Sequence, residues 1–159
     1  MAKIDLTSPP VKTGSIYPAP YDALVAGRSW LRLGDAGGLT QFGVNLVTLA
    51  PGAMSSMRHW HLAEDEFVMV TEGHCIMVTD AGETEMGPGD CAAFPAGKPD
   101  GHHFINRTAA VARFLVVGSR MNPEKATYSD VDLEVELKDG TATFTADREG
   151  SYSFRVVVR

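Results

Sequence analysis

The residues of this sequence best suited to chemistry are histidines, because four of the five fall in two tight pairs. His59 and His61 lie two positions apart, so in a β-strand both imidazoles project from one face and Trp60 projects from the other. Glu66 follows five residues later, at the start of an apolar run. A short turn through residues 62–65 would return its carboxylate to the two imidazoles. These three side chains predict a metal site.

A further ligand must come from the second pair, His102 or His103, which is distant in sequence. The fold therefore has to close to deliver it. Imidazole nitrogens combined with one carboxylate suit Fe(II), Mn(II), Ni(II), Co(II) or Zn(II) better than Ca(II) or Mg(II), which prefer oxygen ligands.

Two ordered groups of residues around these histidines resemble the motifs of the cupin family, over about residues 40–118. The first group is Gly52, His59, His61, Glu66 and Gly73, and the second is Gly89, Pro95, Gly97, His102 and Asn106. Short loop insertions precede His59 and His102. His102 keeps the three-residue gap to Asn106, so the resemblance selects His102 as the ligand and directs His103 away. It implies a site of His59, His61, Glu66 and His102 around one divalent transition metal.

Short β-prone runs separated by Gly and Pro turns predict an all-β protein, an antiparallel sandwich or barrel. The cupin resemblance implies a double-stranded β-helix, or jelly-roll barrel. Predicted strands cover residues 25–33, 42–49, 74–79, 91–94, 102–105, 112–117, 131–137 and 152–159. Turns are predicted at residues 35–38, and a connector at residues 121–130.

The chain of 159 residues is predicted to form one domain with three parts. Residues 1–39 would form an extended proline-rich arm (residues 1–22) and an edge strand, and residues 40–118 the barrel core with the metal site. Residues 119–159 would add strands that cover a sheet edge or build a homodimer contact.

Composition excludes several other functions. The formal net charge is −6 and the chain has no basic run, which argues against nucleic-acid binding. No apolar run approaches the length of a membrane span, so a soluble, cytoplasmic protein without membrane contacts is expected. Cys75 and Cys91 are too few for a disulfide framework, and both are predicted to be buried thiols.

Three classes of function remain open. The first is a dioxygenase that uses Fe(II) or Mn(II) on a small organic substrate, and this class is placed first. The second is a non-redox isomerase, epimerase or lyase acting on a sugar or a hydroxy or keto acid. The third is a small-molecule-binding protein without turnover. No catalytic base is assigned.

Other polar residues near the motifs are interpreted first as packing or surface residues. Asn45, Arg58 and Asn106 are candidates for the pocket or for support of the ligands, and Arg107 and Arg113 are the other basic residues nearby. His74, at the start of a predicted strand, is interpreted as a surface or packing residue.

Overall fold

The computed structural model describes residues 3–146 and 152–157, and this part of the chain consists mainly of antiparallel β-strands. The strands are β1 (Lys12–Thr13), β2 (Arg28–Arg32), β3 (Phe42–Leu49), β4 (His59–His61), β5 (Glu66–Glu72), β6 (Cys75–Thr79), β7 (Gly82–Met86), β8 (Cys91–Phe94), β9 (His103–Ile105), β10 (Ala112–Ser119), β11 (Glu124–Tyr128), β12 (Glu134–Lys138), β13 (Thr141–Ala146) and β14 (Tyr152–Val157). A 3₁₀ helix covers Tyr21–Val25 and a one-turn α-helix covers Leu33–Ala36. Neither of these helices has the length and apolar character needed to cross a membrane.

Three sheets organise these strands. The six-stranded sheet has the order β1-β2-β3-β10-β5-β8, and a three-stranded sheet has the order β7-β6-β9. A five-stranded sheet with the order β14-β13-β12-β11-β4 joins the C-terminal strands to the strand that carries the first histidine pair. All the pairings are antiparallel, which confirms the predicted all-β antiparallel class.

The N-terminal region differs from its prediction in two places. The strand predicted at residues 25–33 is shortened to β2, because the 3₁₀ helix Tyr21–Val25 precedes it and the α-helix Leu33–Ala36 replaces its end and part of the predicted turn. That 3₁₀ helix also ends the predicted extended arm at residue 20. The arm itself contributes β1, which pairs with β2 at the edge of the six-stranded sheet.

The connector predicted at residues 121–130 is wrong, because it contains β11. This strand begins directly after Pro123 and pairs with both β4 and β12. Its buried positions are Glu124, Ala126 and Tyr128. A carboxylate and an alanine at inward positions give no apolar alternation, so the usual strand signal is missing.

Other predicted strands differ from the structure mainly at their ends. Residues 42–49 form β3 as predicted, and the strand predicted at residues 131–137 is displaced to Glu134–Lys138. The last predicted strand, residues 152–159, is β14 as far as Val157, and residues 158–159 lie outside the described residues.

The buried apolar residues form two clusters. The first, called here the barrel cluster, contains Leu49, Ala53, Val68, Val70, Cys75, Met86, Phe104, Ala112 and Phe114. The second, called the extension cluster, contains Met57, Ala126, Tyr128, Leu133, Val135, Ala142 and Phe144. Ile16, Tyr17 and Tyr21 of the N-terminal arm pack against the extension cluster, so both ends of the chain contribute to it.

The two cysteines occupy different environments. Both are free thiols; Cys75 is buried in the barrel cluster, as predicted, whereas Cys91 is exposed. The prediction of burial for Cys91 is wrong because its side chain lies on the exposed face of β8, where exposed and half-buried positions alternate.

Candidate metal centre

The first histidine pair lies on β4, whose alternation separates its three side chains as predicted. His59 and His61 line a common cavity, and Trp60 does not contact that cavity. Trp60 lines a different cavity, between β4 and β8. The turn after β4 returns the chain so that β5 begins at Glu66.

The second histidine pair reaches the first through a backbone bridge. The N–H of His102 donates to the carbonyl of His59 over 2.9 Å, and the N–H of His59 donates back over 3.2 Å. His102 is 2 % exposed, the most deeply buried of the histidines in this region. Two parts of the chain more than 40 residues apart in sequence are thereby held side by side.

All four predicted side chains come together at this point. Nε2 of His102 lies 3.1 Å from Oε1 of Glu66, and Nε2 of His61 lies 3.9 Å from Oε2 of the same carboxylate. The ring centre of His59 is 4.9 Å from that of His61 and 5.1 Å from that of His102. The side chains therefore form one compact group of three imidazoles and one carboxylate.

His103 lies outside this group. Its Nδ1 is 3.2 Å from the carbonyl oxygen of Ser56, and its side chain is half-buried. It is not among the residues that line the cavities around the other histidines. The placement agrees with the opposite facing of neighbouring residues in a strand.

Each imidazole of the group contacts a neighbouring residue that orients the ring. Nδ1 of His59 donates to the carbonyl of Met57 over 2.9 Å, which leaves Nε2 of this ring as the free lone pair. Nδ1 of His61 lies 3.3 Å from Oε1 of Glu124, although the pair is not aligned as a good hydrogen bond. The ring of His102 stacks on Phe94, with ring centres 3.5 Å apart and planes 8° apart. Such outer contacts orient metal-ligating histidines in proteins.

Sequence reasoning missed Glu124. Its side chain is 1 % exposed, and its two oxygens accept hydrogen bonds from the backbone N–H groups of Leu62 and Ala63, each over 3.0 Å. The same carboxylate therefore fixes the turn between the first two histidines and Glu66, and faces His61. This role was not recognised because residues 124–128 were predicted as part of a connector and not as a strand.

His59 and Glu66 have the charge states that metal binding requires. Burial, together with the neighbouring imidazoles of His61 and His102, lowers the pKa of His59 to about 3, so this ring is neutral at pH 7. Burial by itself raises the pKa of Glu66. The hydrogen bond from His102 and the nearby histidines outweigh burial, so the net shift of the pKa is downward and the carboxylate is ionised.

The donor chemistry of the group fits a first-row divalent ion. Within the described residues, no set of three or more His, Cys, Asp or Glu side chains is arranged to hold an ion as it stands. Ligands that share an ion at about 2.1 Å lie about 3.0–3.4 Å apart. The 3.1 Å separation of Glu66 from His102 falls in this range, whereas its 3.9 Å separation from His61 does not. Ion binding would require a small rotation of the Glu66 side chain towards His61.

Several other residues considered in the sequence have structural partners. The amide nitrogen of Asn106 donates to the carbonyl groups of Leu49 and Ala110, over 3.0 and 2.7 Å, so this side chain closes a loop inside the core. Arg58 pairs with Asp80 and Asp130.

The remaining basic residues of the motif region lie away from the group. Arg107 pairs with Glu83 and Arg113 pairs with Glu72, in both cases on the exposed surface. His74 is exposed, as predicted. Asn45 is the one of these polar candidates that lines a cavity beside the histidines.

Comparison with known proteins identifies the family. A cupin domain model matches residues 45–118, which span both histidine pairs. A crystal structure of a sugar phosphate isomerase of the cupin superfamily from Silicibacter pomeroyi is 56% identical, covers 95% of this chain and 96% of that chain, and has a TM-score of 0.92. This chain therefore belongs to the cupin superfamily, and its fold is the cupin fold that the motifs implied.

Two other solved structures are more distant. A protein from Acidithiobacillus ferrooxidans, provisionally assigned as a sugar phosphate isomerase, is 27% identical over 75% of this chain and 76% of that chain, with a TM-score of 0.71. The polyketide cyclase RemF from Streptomyces resistomycificus is 24% identical over 75% of this chain and 79% of that chain, with a TM-score of 0.60, and supports the fold alone. No curated protein matches the sequence.

Proposed function

We propose that this cupin is a divalent-metal-dependent isomerase of a small phosphorylated sugar. The observation that carries the proposal is the similarity over nearly the whole chain, at 56% identity, to a cupin described as a sugar phosphate isomerase. The isomerase alternative of the sequence analysis is therefore favoured over the dioxygenase that was placed first. Shared fold alone would not support this choice, because one fold carries many reactions.

The residues that would hold the ion are His59, His61, Glu66 and His102. A divalent ion held by them would supply Lewis-acid chemistry to a substrate carbonyl or hydroxyl group. The lowered pKa of His59 keeps this imidazole neutral, and the contacts of Met57 and Glu124 set the direction of His59 and His61. A preset arrangement of this kind lowers the cost of ordering the ligands when the ion binds.

A cavity of about 310 Å³ lies in front of the group and would receive the substrate. This volume is at the lower end of the range for small-molecule sites, about 300–1,000 Å³, and suits a compact substrate. Tyr17 also lines the cavity. Burial raises the pKa of Tyr17 above its ordinary value, so its hydroxyl stays protonated at neutral pH. Apolar walls that include Phe104 and Phe114 limit the access of water.

Metal analysis and a turnover assay test the proposal together. Protein purified without a histidine tag should contain a stoichiometric transition metal, and His61→Ala should lose it. His74→Ala, which removes an exposed histidine outside the group, is the matched control and should keep the metal. Full metal occupancy in His61→Ala would overturn the assignment of the ligands.

Turnover should then be followed by NMR with phosphorylated aldoses and ketoses, under anaerobic conditions and with the native metal. Interconversion without oxygen, abolished in His61→Ala, supports the isomerase. Oxygen consumption in place of isomerisation would contradict it and return the dioxygenase to first place.

A further inference from the structure

The cavity in front of the histidine group has a positive charge that the sequence analysis did not consider. Arg28, the first residue of β2, lines it together with His59, His61, Glu66 and His102. Among the described residues that line this cavity, Glu66 is the one with a carboxylate and Arg28 is the one with a guanidinium. The cavity wall therefore carries one group of each charge.

Arg28 differs in its partners from five other arginines of the described chain. Each of five other arginines in the described chain has a carboxylate within ion-pair distance, namely Arg32, Arg58, Arg107, Arg113 and Arg120. No carboxylate of the described residues lies within that distance of Arg28. Its Nη1 donates to the carbonyl of Ser55, its Nη2 donates to the carbonyl of Gly14 over 3.4 Å, and its buried Nε has no hydrogen-bond partner.

Two aromatic rings hold the guanidinium in place. Its central carbon lies 5.2 Å from the ring centre of Trp30 and 5.8 Å from that of Tyr17. Cation–π contacts of this kind position an arginine without neutralising its charge. A half-buried cation without a carboxylate partner is costly in a folded protein, and such groups concentrate at binding sites for ligands of opposite charge.

Hydroxyl groups that could complete an anion site lie beside Arg28. Ser55 and Ser56 line the same cavity, with their Oγ atoms 3.3 Å apart. The hydroxyl of Ser55 already accepts a hydrogen bond from the N–H of Phe104, whereas the hydroxyl of Ser56 has Ser55 as its hydrogen-bond partner in the described chain. Serine hydroxyls and a guanidinium are common ligands of phosphoryl and carboxylate oxygens.

We propose that Arg28, with Ser56 beside it, binds the anionic group of the substrate, a phosphoryl or carboxylate group, while the rest of the substrate extends to the histidine group. This deepens the proposed function, on which the identity of the substrate rests. The formal net charge of −6 repels an anionic substrate. A local positive group such as Arg28 would offset this repulsion at the cavity. Arg28 is then a specificity residue that lines the same cavity as the histidine group.

Calorimetric titration with inorganic phosphate tests the anion site without requiring catalysis. Wild-type protein should bind phosphate, and Arg28→Met should weaken binding by about 10- to 100-fold, the usual effect of losing a charge-assisted hydrogen bond. Arg28→Lys, which keeps the charge but not the planar fork, should fall between them. Arg107→Met, which removes the same charge from an exposed ion pair with Glu83, should bind like the wild type.

Titration of His61→Ala separates this proposal from the proposed function. Phosphate binding that persists in His61→Ala supports the Arg28 site even if no isomerase activity is found. Binding that is lost in His61→Ala and kept in Arg28→Met places the anion on a metal and overturns the proposal. So does an absence of phosphate binding by the wild type.

Two further measurements complete the test. Acetate titrated in parallel distinguishes a carboxylate site from a phosphoryl site by its relative affinity. Thermal unfolding of each variant shows whether Arg28 only anchors the N-terminal arm. In that case Arg28→Lys and Arg28→Met would lower the melting temperature, but phosphate affinity would remain at the wild-type value, and the proposal would be wrong.

Discussion

The barrel cluster and the extension cluster contribute different things to the candidate site. The barrel side provides Glu66 and the strand that delivers His102, and it stacks Phe94 on that histidine. The extension side provides Glu124 behind His61, and places Tyr128 5.9 Å from the ring centre of His59. The barrel side therefore carries Glu66 and His102, whereas β4, which pairs with β11 of the extension, carries His59 and His61.

A continuous series of ring contacts joins the two clusters through the histidines. Ring centres between 3.5 and 6.2 Å apart connect Phe114, Phe104, Phe94, His102, His59, Tyr128, Tyr17 and Phe144 in that order. Packed interiors transmit small displacements because they contain few voids. A loss of packing in the extension is thus expected to reach the site, because β4, which carries His59 and His61, belongs to the same sheet.

The largest expected effect comes from removing one buried ring in each cluster. Phe114 is 1% exposed and Phe144 is 0% exposed, so Phe114→Ala and Phe144→Ala should each lower the free energy of unfolding by about 3–5 kcal/mol. Because β4 pairs with β11 and also bridges to His102, unfolding should remain one transition in both variants. Calorimetry measures this directly. A separate low-temperature transition in Phe144→Ala would show that the extension unfolds by itself.

Two glycines allow a test of close contacts inside the barrel and between the barrel and the extension. A Cβ at Gly73 would lie 2.2 Å from the backbone oxygen of Val111, and the φ of this residue is +67°. A Cβ at Gly101 would lie 2.0 Å from Oγ and 3.0 Å from Cβ of Ser129. Overpacking alone should cost about 1–3 kcal/mol in each alanine variant, and the left-handed backbone should make Gly73→Ala the worse of the two.

Double variants separate the two contacts. Ser129→Ala should restore part of the stability lost in Gly101→Ala, because it removes the nearer atom, and should leave the cost of Gly73→Ala unchanged. Denaturant unfolding of the single and double variants gives the coupling energies. If Ser129→Ala changed the stability of both glycine variants equally, the cost of Gly101→Ala would not arise from the contact with Ser129 between the barrel and the extension.

A smaller effect on stability, with a specific effect on the site, is expected for Glu124→Gln. One backbone N–H of Leu62 or Ala63 would face an amide group, which costs about 1–3 kcal/mol, and His61 would lose its carboxylate neighbour. Metal affinity should fall about 10- to 100-fold, as for other outer contacts of ligating histidines. Competition with a coloured chelator measures the affinity.

Glu136→Gln is the matched control, because Glu136 is an exposed residue of β12 in the same extension. It should leave metal affinity and stability unchanged. A Glu124→Gln variant that is less stable but binds metal as tightly as the wild type would restrict Glu124 to fixing the turn after β4.

The grouping of His59, His61, Glu66 and His102 could be predicted from the sequence, whereas the surroundings of these side chains could not. Strand alternation places His59 and His61 on one face, and the resemblance to the two cupin motifs adds Glu66 and selects His102. Glu124 could not be recognised, since a carboxylate after Pro123 is typical of an exposed connector. It becomes a buried partner only because β11 pairs with β4, a contact across more than 60 residues.

Arg28 was missed for a related reason. An arginine within a predicted edge strand is normally exposed. Its burial depends on the N-terminal arm, which places Gly14 and Tyr17 against it. The prolines of this arm predicted an extended segment, but they did not predict its contacts. Sequence spacing thus predicts groups that lie within one strand or motif, and it fails where distant segments meet.

The smallest perturbation that compares the two clusters uses the reactivity of the buried Cys75 thiol. Burial raises the pKa of Cys75 to about 11, and only the thiolate reacts, so in the closed protein at pH 8 about one Cys75 thiol in a thousand is in the reactive form. In a Cys91→Ala background, labelling of Cys75 by a disulfide reagent should be slow and should accelerate as the pH rises towards 11. The exposed Cys91 of the wild type should react first.

Adding Phe144→Ala to that background asks whether the extension cluster controls opening of the barrel cluster. If both clusters open in one cooperative step, a loss of about 3 kcal/mol raises the open population, and with it the labelling rate of Cys75, by more than 100-fold. Labelling at the wild-type rate would mean that Cys75 is exposed by a local motion of the barrel alone. The ring series through His102 and His59 would then be a contact without energetic coupling, and the extension would act on the site only through Glu124.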